Sequence, residues 1–228
     1  GGKIKSFHAA KIESMPGVKK VVQSADTGVA VIADTWWRAK TALEALPITW
    51  DNGPNASLSS TTIADMLAEG LEAKDAFVGN SAGDAPGVLA RAGKVITATY
   101  AYPYQSHATM EPMNALALYT PERCEVWAPT QSAEGSLEAA AEAAGLPIGQ
   151  CDVHKVHLGG GFGRRGAGQD YVRQAVSIAK QMPGTPIKLI WSREEDMLHD
   201  FYHPTTQCRL TGALDEQGNL TALHIRLS

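Results

Sequence analysis

The sequence predicts an α+β fold, and three observations carry the prediction. Short apolar, β-branched runs recur along the chain, among them Val29–Ala33, Val95–Tyr100 and Ile187–Trp191. Between them lie stretches with apolar residues at helical spacing, opened by capping residues and closed by glycine or proline. Residues 77–93 hold four glycines (Gly79, Gly83, Gly87, Gly93) and Pro86, which marks the best candidate for a domain junction. The expected division is therefore a first domain over 1–78, a linker over 79–93 and a second domain over 94–228.

In chain order, the run Val29–Ala33 reads as a buried strand. Asp34 or Thr35 then caps a helix through about Leu46, with Trp36, Ala39, Leu43 and Leu46 on one face. Pro47 stops it, Ile48–Trp50 resumes as strand, and Asp51-Asn52-Gly53-Pro54 turns the chain. A second helix is expected from near Ser60 to Leu71. After the junction, Val95–Tyr100 is a strand, and Ala115–Tyr119 and Cys124–Ala128 form a hairpin around Thr120–Arg123. Ser132–Ala144 is an Ala/Glu-rich helix ended by Gly145. Cys151–Leu158 is expected as a strand, Asp170–Lys180 as a helix, and Thr205–Leu214 with Leu220–Leu227 as a closing hairpin.

With 44% hydrophobic and 19% charged residues, the 228-residue chain is an ordinary globular sequence with room for a real core. Its formal net charge of -4 supplies no basic field for nucleic acid. No stretch approaches the roughly 20 apolar residues of a membrane span. The chain opens on Gly1 rather than Met, and its last strand pattern runs straight to Ser228, so a piece of a longer protein is expected. Its compartment, cytoplasmic or periplasmic, is left open. Cys124, Cys151 and Cys208 are widely spaced and odd in number, which argues against a disulfide framework. An iron–sulfur cluster takes four thiolates, so three cysteines cannot hold one.

Two segments concentrate chemistry. Gly159-Gly160-Gly161-Phe162-Gly163, between a strand and a helix, lets backbone N–H groups approach a ligand closely and suits an anion. Arg164 and Arg165 are expected to add donors there, although a tight turn needing glycine only for its backbone is an equal reading. Gly161, Gly163 and Gly166 also satisfy the G-x-G-x-x-G spacing of a dinucleotide site. Late helix onset and the lack of an acidic residue after Ile187–Trp191 weaken that NAD(P) alternative, though Arg193 would suit an NADP-type site.

The second segment, Tyr104-Gln105-Ser106-His107-Ala108-Thr109-Met110-Glu111-Pro112, packs an amide, an imidazole and a carboxylate together. His107 and Glu111 have i, i+4 spacing, but the flanking prolines oppose a helix, so loop bracing is favoured over a metal pair. Glu194, Glu195 and Asp196 read as a solvated charge run.

Gln105–Glu111, Val126-Trp127-Ala128-Pro129-Thr130-Gln131, the glycine loop and Ser192–Met197 occur in that order and at suitable distances. Together they resemble the molybdopterin-binding large subunit of the xanthine dehydrogenase/aldehyde oxidase family. The wording His107–Met113 is closest to the isoquinoline 1-oxidoreductase beta-subunit type. Residues 3–60 look like the end of that family's small α/β hammerhead domain, followed by the first part of a mixed α/β molybdopterin-binding domain.

The resemblance implies a molybdenum-dependent oxidoreductase that hydroxylates an aromatic N-heterocycle or an aldehyde with water as the oxygen source. It implies molybdopterin with molybdenum, in the cytosine dinucleotide form, and a small iron–sulfur subunit as partner carrying [2Fe-2S] clusters. Gln105, Gly160, Gly161, Phe162, Gly163 and Arg164 match the family's cofactor-binding positions. Phe162 and His203 are the substrate-side candidates, although His203 stands where close relatives have an arginine and its favoured reading is a strand-entry residue. No residue matches the catalytic glutamate, expected downstream, and no direct metal ligand is expected. The chain alone is therefore expected to be catalytically silent. Arg165 and Gly166 stand where purine-oxidising members have lysine and glutamate, which argues against a purine substrate.

Overall fold

A computed structural model describes residues 2–228. The strands are β1 (Lys3–Phe7), β2 (Val18–Ser24), β3 (Gly28–Ala33), β4 (Ile48–Asp51), β5 (Lys94–Tyr102) and β6 (Asn114–Tyr119). They continue with β7 (Cys124–Ala128), β8 (Cys151–Lys155), β9 (Ile187–Ile190), β10 (Thr206–Leu214) and β11 (Leu220–Leu227). The helices are α1 (Trp36–Glu44), α2 (Ser60–Gly70), α3 (Ala85–Arg91), α4 (Ala133–Ala144), α5 (Asp170–Ala179) and α6 (Arg193–Leu198). Two compact units result, each drawn from two stretches of the chain. One takes in the chain up to Ala56 together with Ser106–Phe201, and the other Ser57–Gln105 together with Tyr202–Ser228.

The first unit is built on a four-stranded sheet of order β8-β7-β6-β9. Strands β7 and β8 are parallel, so the chain between them must cross over, and α4 makes the crossing. Residue alternation turns Ala115, Ala117, Cys124, Val126 and Ala128 inward, and all five are buried. Against them α5 lays Tyr171, Val172, Ala175, Val176 and Ala179, a one-sided helical stripe. Alanines on α4 (Ala139, Ala140, Ala144) keep that helix close. Ser132 caps α4 by accepting from the Gly135 N–H, and Gly145 ends it at φ +70°. A smaller core of Ile12, Ala42 and Leu46 sits under the β2–β3 hairpin and α1. Of the two candidate caps for α1, Thr35 accepts from the Arg38 N–H, while Asp34 pairs with the Arg38 guanidinium.

The second unit is an antiparallel sheet of order β11-β10-β5 with α2 and α3. Ser59 and Thr62 form a reciprocal capping box at the start of α2.

Several expectations change. Helix α3 lies inside the stretch read as linker, where Asp84 caps it and Pro86 occupies a first-turn position that proline tolerates. Strands β1 and β2 pair with β4 and β3 although neither drew attention in the sequence. Strand β8 ends at Lys155 rather than Leu158. The dinucleotide alternative fails on topology. Strand β9, which follows the loop and α5, pairs antiparallel with β6 instead of running parallel beside β8. Asp196, read as part of a solvated run, is buried in α6, where it accepts from the Arg193 guanidinium and the Met113 N–H.

Candidate functional site

The glycine loop leaves the end of β8, and its shape is set by what its carbonyls bond. The Gly159 carbonyl accepts from the Glu111 N–H at 3.0 Å, and the Gly161 carbonyl from the Arg164 N–H at 2.9 Å. Between them, the Gly160 carbonyl accepts from Arg165 Nε at 2.9 Å. In a trans peptide the N–H points opposite to the preceding carbonyl. Anchoring these three carbonyls therefore turns the N–H groups of Gly160, Gly161 and Phe162 the other way. Among the described residues, none of the three makes a hydrogen bond to protein. The ends are closed: Gly159 N–H donates to Glu111 Oε2 and Gly163 N–H to Gln131 Oε1, each at 3.0 Å.

The backbone pays for this shape in conformational terms that glycine meets cheaply. Gly160 and Gly163 lie at φ +100° and +104°. At Gly161 the reason differs from the expected ligand approach, because an added Cβ would meet Gln131 Oε1 at 2.4 Å. Phe162 holds φ +54°, uncommon for a bulky residue, and the residue is 72% exposed. A large apolar ring held outward beside three open N–H groups is the loop's most distinctive feature.

The two arginines do not do what the sequence suggested. Both are buried, at 2% and 0% exposure, and both face inward. Arg164 makes a two-pronged bond to Asp170 at 2.9 Å on each oxygen and donates to the His199 carbonyl. Its Nε lies 2.9 Å from Asp200 Oδ1 as an ion pair, although the N–H is not aligned for a hydrogen bond. Trp191 and Phe201 flank its guanidinium with ring centroids at 5.5 and 5.0 Å. Arg165 donates to the carbonyls of Gly160, Pro129, Glu111 and Pro112 and to Glu111 Oε2. Both guanidiniums are turned to acceptors inside the protein rather than to the open side of the loop, and leaving those buried acceptors without partners would be costly. The Arg164 backbone N–H closes the loop on the Gly161 carbonyl, and its side chain faces inward.

His107 and Glu111 are braces. His107 Nδ1 lies 3.0 Å from Asp200 Oδ1, and its N–H donates to Asp200 Oδ2 at 2.6 Å. Asp200 also accepts from the Ser106 hydroxyl at 2.7 Å. Burial alone would raise the pKa of Asp200, but the hydrogen bonds from His107 and Ser106 outweigh it and hold the carboxyl below its ordinary value. Among the described residues no group of three or more His, Cys, Asp or Glu is placed to hold a metal ion. Cys124 and Cys151 stand opposite each other on β7 and β8 as free thiols. Burial, with a smaller effect of Cys151, pushes Cys124 up to about 12, so it is no nucleophile at neutral pH.

The remaining sequence candidates belong to the second unit. Gln105 and His203 are brought together as an isolated antiparallel bridge, with the His203 N–H donating to the Gln105 carbonyl at 2.9 Å. Sequence reasoning missed Asp170, Asp200 and the acceptor role of Gln131. Gln131 lay inside a motif already singled out, whereas nothing local marks Asp200 as the partner of a histidine 93 residues earlier.

A family model described as the molybdopterin cofactor-binding domain matches residues 70–228, more than half of the chain. The chain belongs to that family. This molybdopterin cofactor-binding chain is similar to a membrane-bound aldehyde dehydrogenase of Gluconacetobacter polyoxogenes whose name specifies pyrroloquinoline quinone. The two are 28% identical over 231 residues, covering 98% of this chain and 30% of the relative. It is also similar to the isoquinoline 1-oxidoreductase subunit beta of Brevundimonas diminuta, 27% identical over 216 residues, covering 89% of this chain and 27% of the relative. Among solved structures, quinoline 2-oxidoreductase from Pseudomonas putida 86 matches with a TM-score of 0.75 at 20% identity, over 99% of this chain and 34% of that one. At that identity the likeness concerns the fold. The chain thus spans about a third or less of the length of these proteins. No helix among the described residues is long and apolar enough to cross a membrane.

Proposed function

We propose that this chain is the cofactor-holding part of a molybdenum hydroxylase large subunit that hydroxylates an aromatic N-heterocycle or an aldehyde, with water as the oxygen source. The observation that carries the reading is the row of unpartnered N–H groups at Gly160, Gly161 and Phe162, within the segment matched by the cofactor-binding family. Backbone N–H donors suit the oxygen-rich, anionic surface of a molybdopterin without committing a side-chain charge. When bound, that group would supply two-electron redox chemistry at molybdenum.

The chain's own residues bind and orient. Gly160, Gly161 and Phe162 donate to the cofactor, and Gly163 and Arg164 complete the turn that presents them. The Phe162 ring offers an apolar face to a flat substrate. Gln105 is assigned as a hydrogen-bond donor at the molybdenum end of the cofactor, and His203, its bridge partner, as a substrate-side residue. No residue of this chain is assigned as the catalytic base.

Residues 1–78 are read as a hammerhead-like domain, 79–93 as the connection and 94–228 as part of the molybdopterin-binding domain. Electrons leave through the [2Fe-2S] clusters of a small partner subunit, since three free cysteines cannot ligate one here. The cytosine dinucleotide form of the cofactor is part of the same proposal.

Metal analysis and pterin fluorescence of the subunit, co-expressed with its iron–sulfur partner, test the reading. Stoichiometric molybdenum and pterin are expected, while the 228-residue chain purified alone should hold neither. Absence of both from the assembled protein, with micromolar NADPH binding in their place, would sink the proposal.

A further inference from the structure

Arg165 lies outside every role assigned so far, yet it is the most completely buried charged side chain of the first unit, at 0% exposure. Its guanidinium reaches three separate stretches of chain. Nε donates to the Gly160 carbonyl in the glycine loop, and Nη1 to the Pro129 carbonyl after β7 at 3.1 Å. Nη2 donates to the Glu111 carbonyl at 2.7 Å and to Glu111 Oε2 at 2.9 Å. The Arg165 carbonyl is itself gripped, by Gln131 N–H, Thr130 Oγ1 and Gln169 Nε2. Tyr171 covers the guanidinium with its ring centroid at 5.9 Å. A planar fork with fixed donor directions is the side chain suited to bridging acceptors on three segments, and lysine lacks that geometry.

We propose that Arg165, braced by Glu111, is the positioning residue that makes the glycine loop a donor surface. The bond to the Gly160 carbonyl is the only one of the three carbonyl anchors made by a side chain rather than the backbone. It fixes the plane of the Gly160–Gly161 peptide, which carries the central open N–H. Without it, a loop with two glycines at positive φ has little to stop that peptide from turning over. Glu111 closes the device from the other side, since the same Oε2 atom accepts from Arg165 and from the Gly159 N–H. The inference deepens the cofactor reading above and depends on it only for the identity of the ligand.

The test is amide-resolved hydrogen exchange by NMR on the 15N-labelled chain, with inorganic phosphate as an anionic probe. In the unchanged chain Gly160, Gly161 and Phe162 should exchange fast, Gly159 and Gly163 slowly, and phosphate should slow the first three. In Arg165→Lys, protection at Gly159 is expected to fall and phosphate affinity at the loop to weaken about tenfold. Glu111→Gln keeps an acceptor oxygen and should preserve the pattern, whereas Glu111→Ala should lose it. If Arg165→Lys does not fold, the two Glu111 variants carry the comparison. A folded Arg165→Lys with the original exchange pattern and phosphate response overturns the proposal, as does a Glu111→Ala variant that matches the unchanged chain. A correct exchange pattern in the unchanged chain with no phosphate response supports the positioning role and counts against the anion reading of the loop.

Discussion

The two units bury opposite things. In the first, the apolar face of the four-stranded sheet is covered by α4 and α5, and even two arginines are enclosed among buried acceptors. In the second, the three-stranded sheet turns its polar face to its helices. Gln207 donates to the Ala64 carbonyl, Arg209 pairs with Glu72, and Arg226 donates to the Ala73 carbonyl. The opposite face aligns Tyr100, Cys208 and Leu227, then Ala98, Leu210 and Ile225, then Ile96, Gly212 and Leu223. Ile96, Tyr100, Ile225 and Leu227 on it are each at least half exposed. The first unit therefore draws its stability from internal closure, while the second leaves an apolar surface of the kind that ordinarily meets another surface.

Equivalent truncations should break the symmetry between the units most visibly. Tyr171→Ala removes a fully buried ring that covers Arg165 and donates to the Pro129 carbonyl, and should cost about 3–5 kcal/mol in urea unfolding. Ile225→Ala on the bare face should cost less than about 1 kcal/mol. Similar losses at the two sites would show that the second unit's apolar face is covered in solution.

Acid should separate the units next. A carboxyl whose folded pKa is depressed adds stability above its unfolded value, and that stability is lost as the pH falls through the folded value. Asp200 is such a group, so the first unit should weaken as the pH drops below about 4. Asp200→Asn should be less stable at neutral pH and show a flatter pH dependence in that range. An unchanged slope would mean that other carboxyls dominate acid unfolding.

Phe162→Ala should give the smallest change in stability, within about 0.5 kcal/mol, because the ring is mostly exposed. In the assembled subunit the same change should lower kcat/KM for a flat aromatic substrate. A stable variant with full activity would remove Phe162 from the substrate side.

Much of the fold was legible in the residues because local signals repeat there. Thr35, Ser132 and Gly145 act as caps where side-chain and backbone chemistry demands, and the alternation in β6 and β7 announces an inner face. Helix α3 was hidden because glycine and proline read as linker, although proline is tolerated in a first turn. The family resemblance and the glycine loop were also visible in the order of four motifs. What the residue types could not say is where charged side chains point. Arg164 and Arg165 look alike as donors beside a ligand loop, and only long-range partners at Asp170, Asp200 and Glu111 turn them inward. A buried charge goes where its compensating groups are, and those lie up to 54 residues away in the chain. Sequence alone determined that the loop would be glycine-shaped. The tertiary structure decided that its open groups are backbone N–H donors rather than arginines.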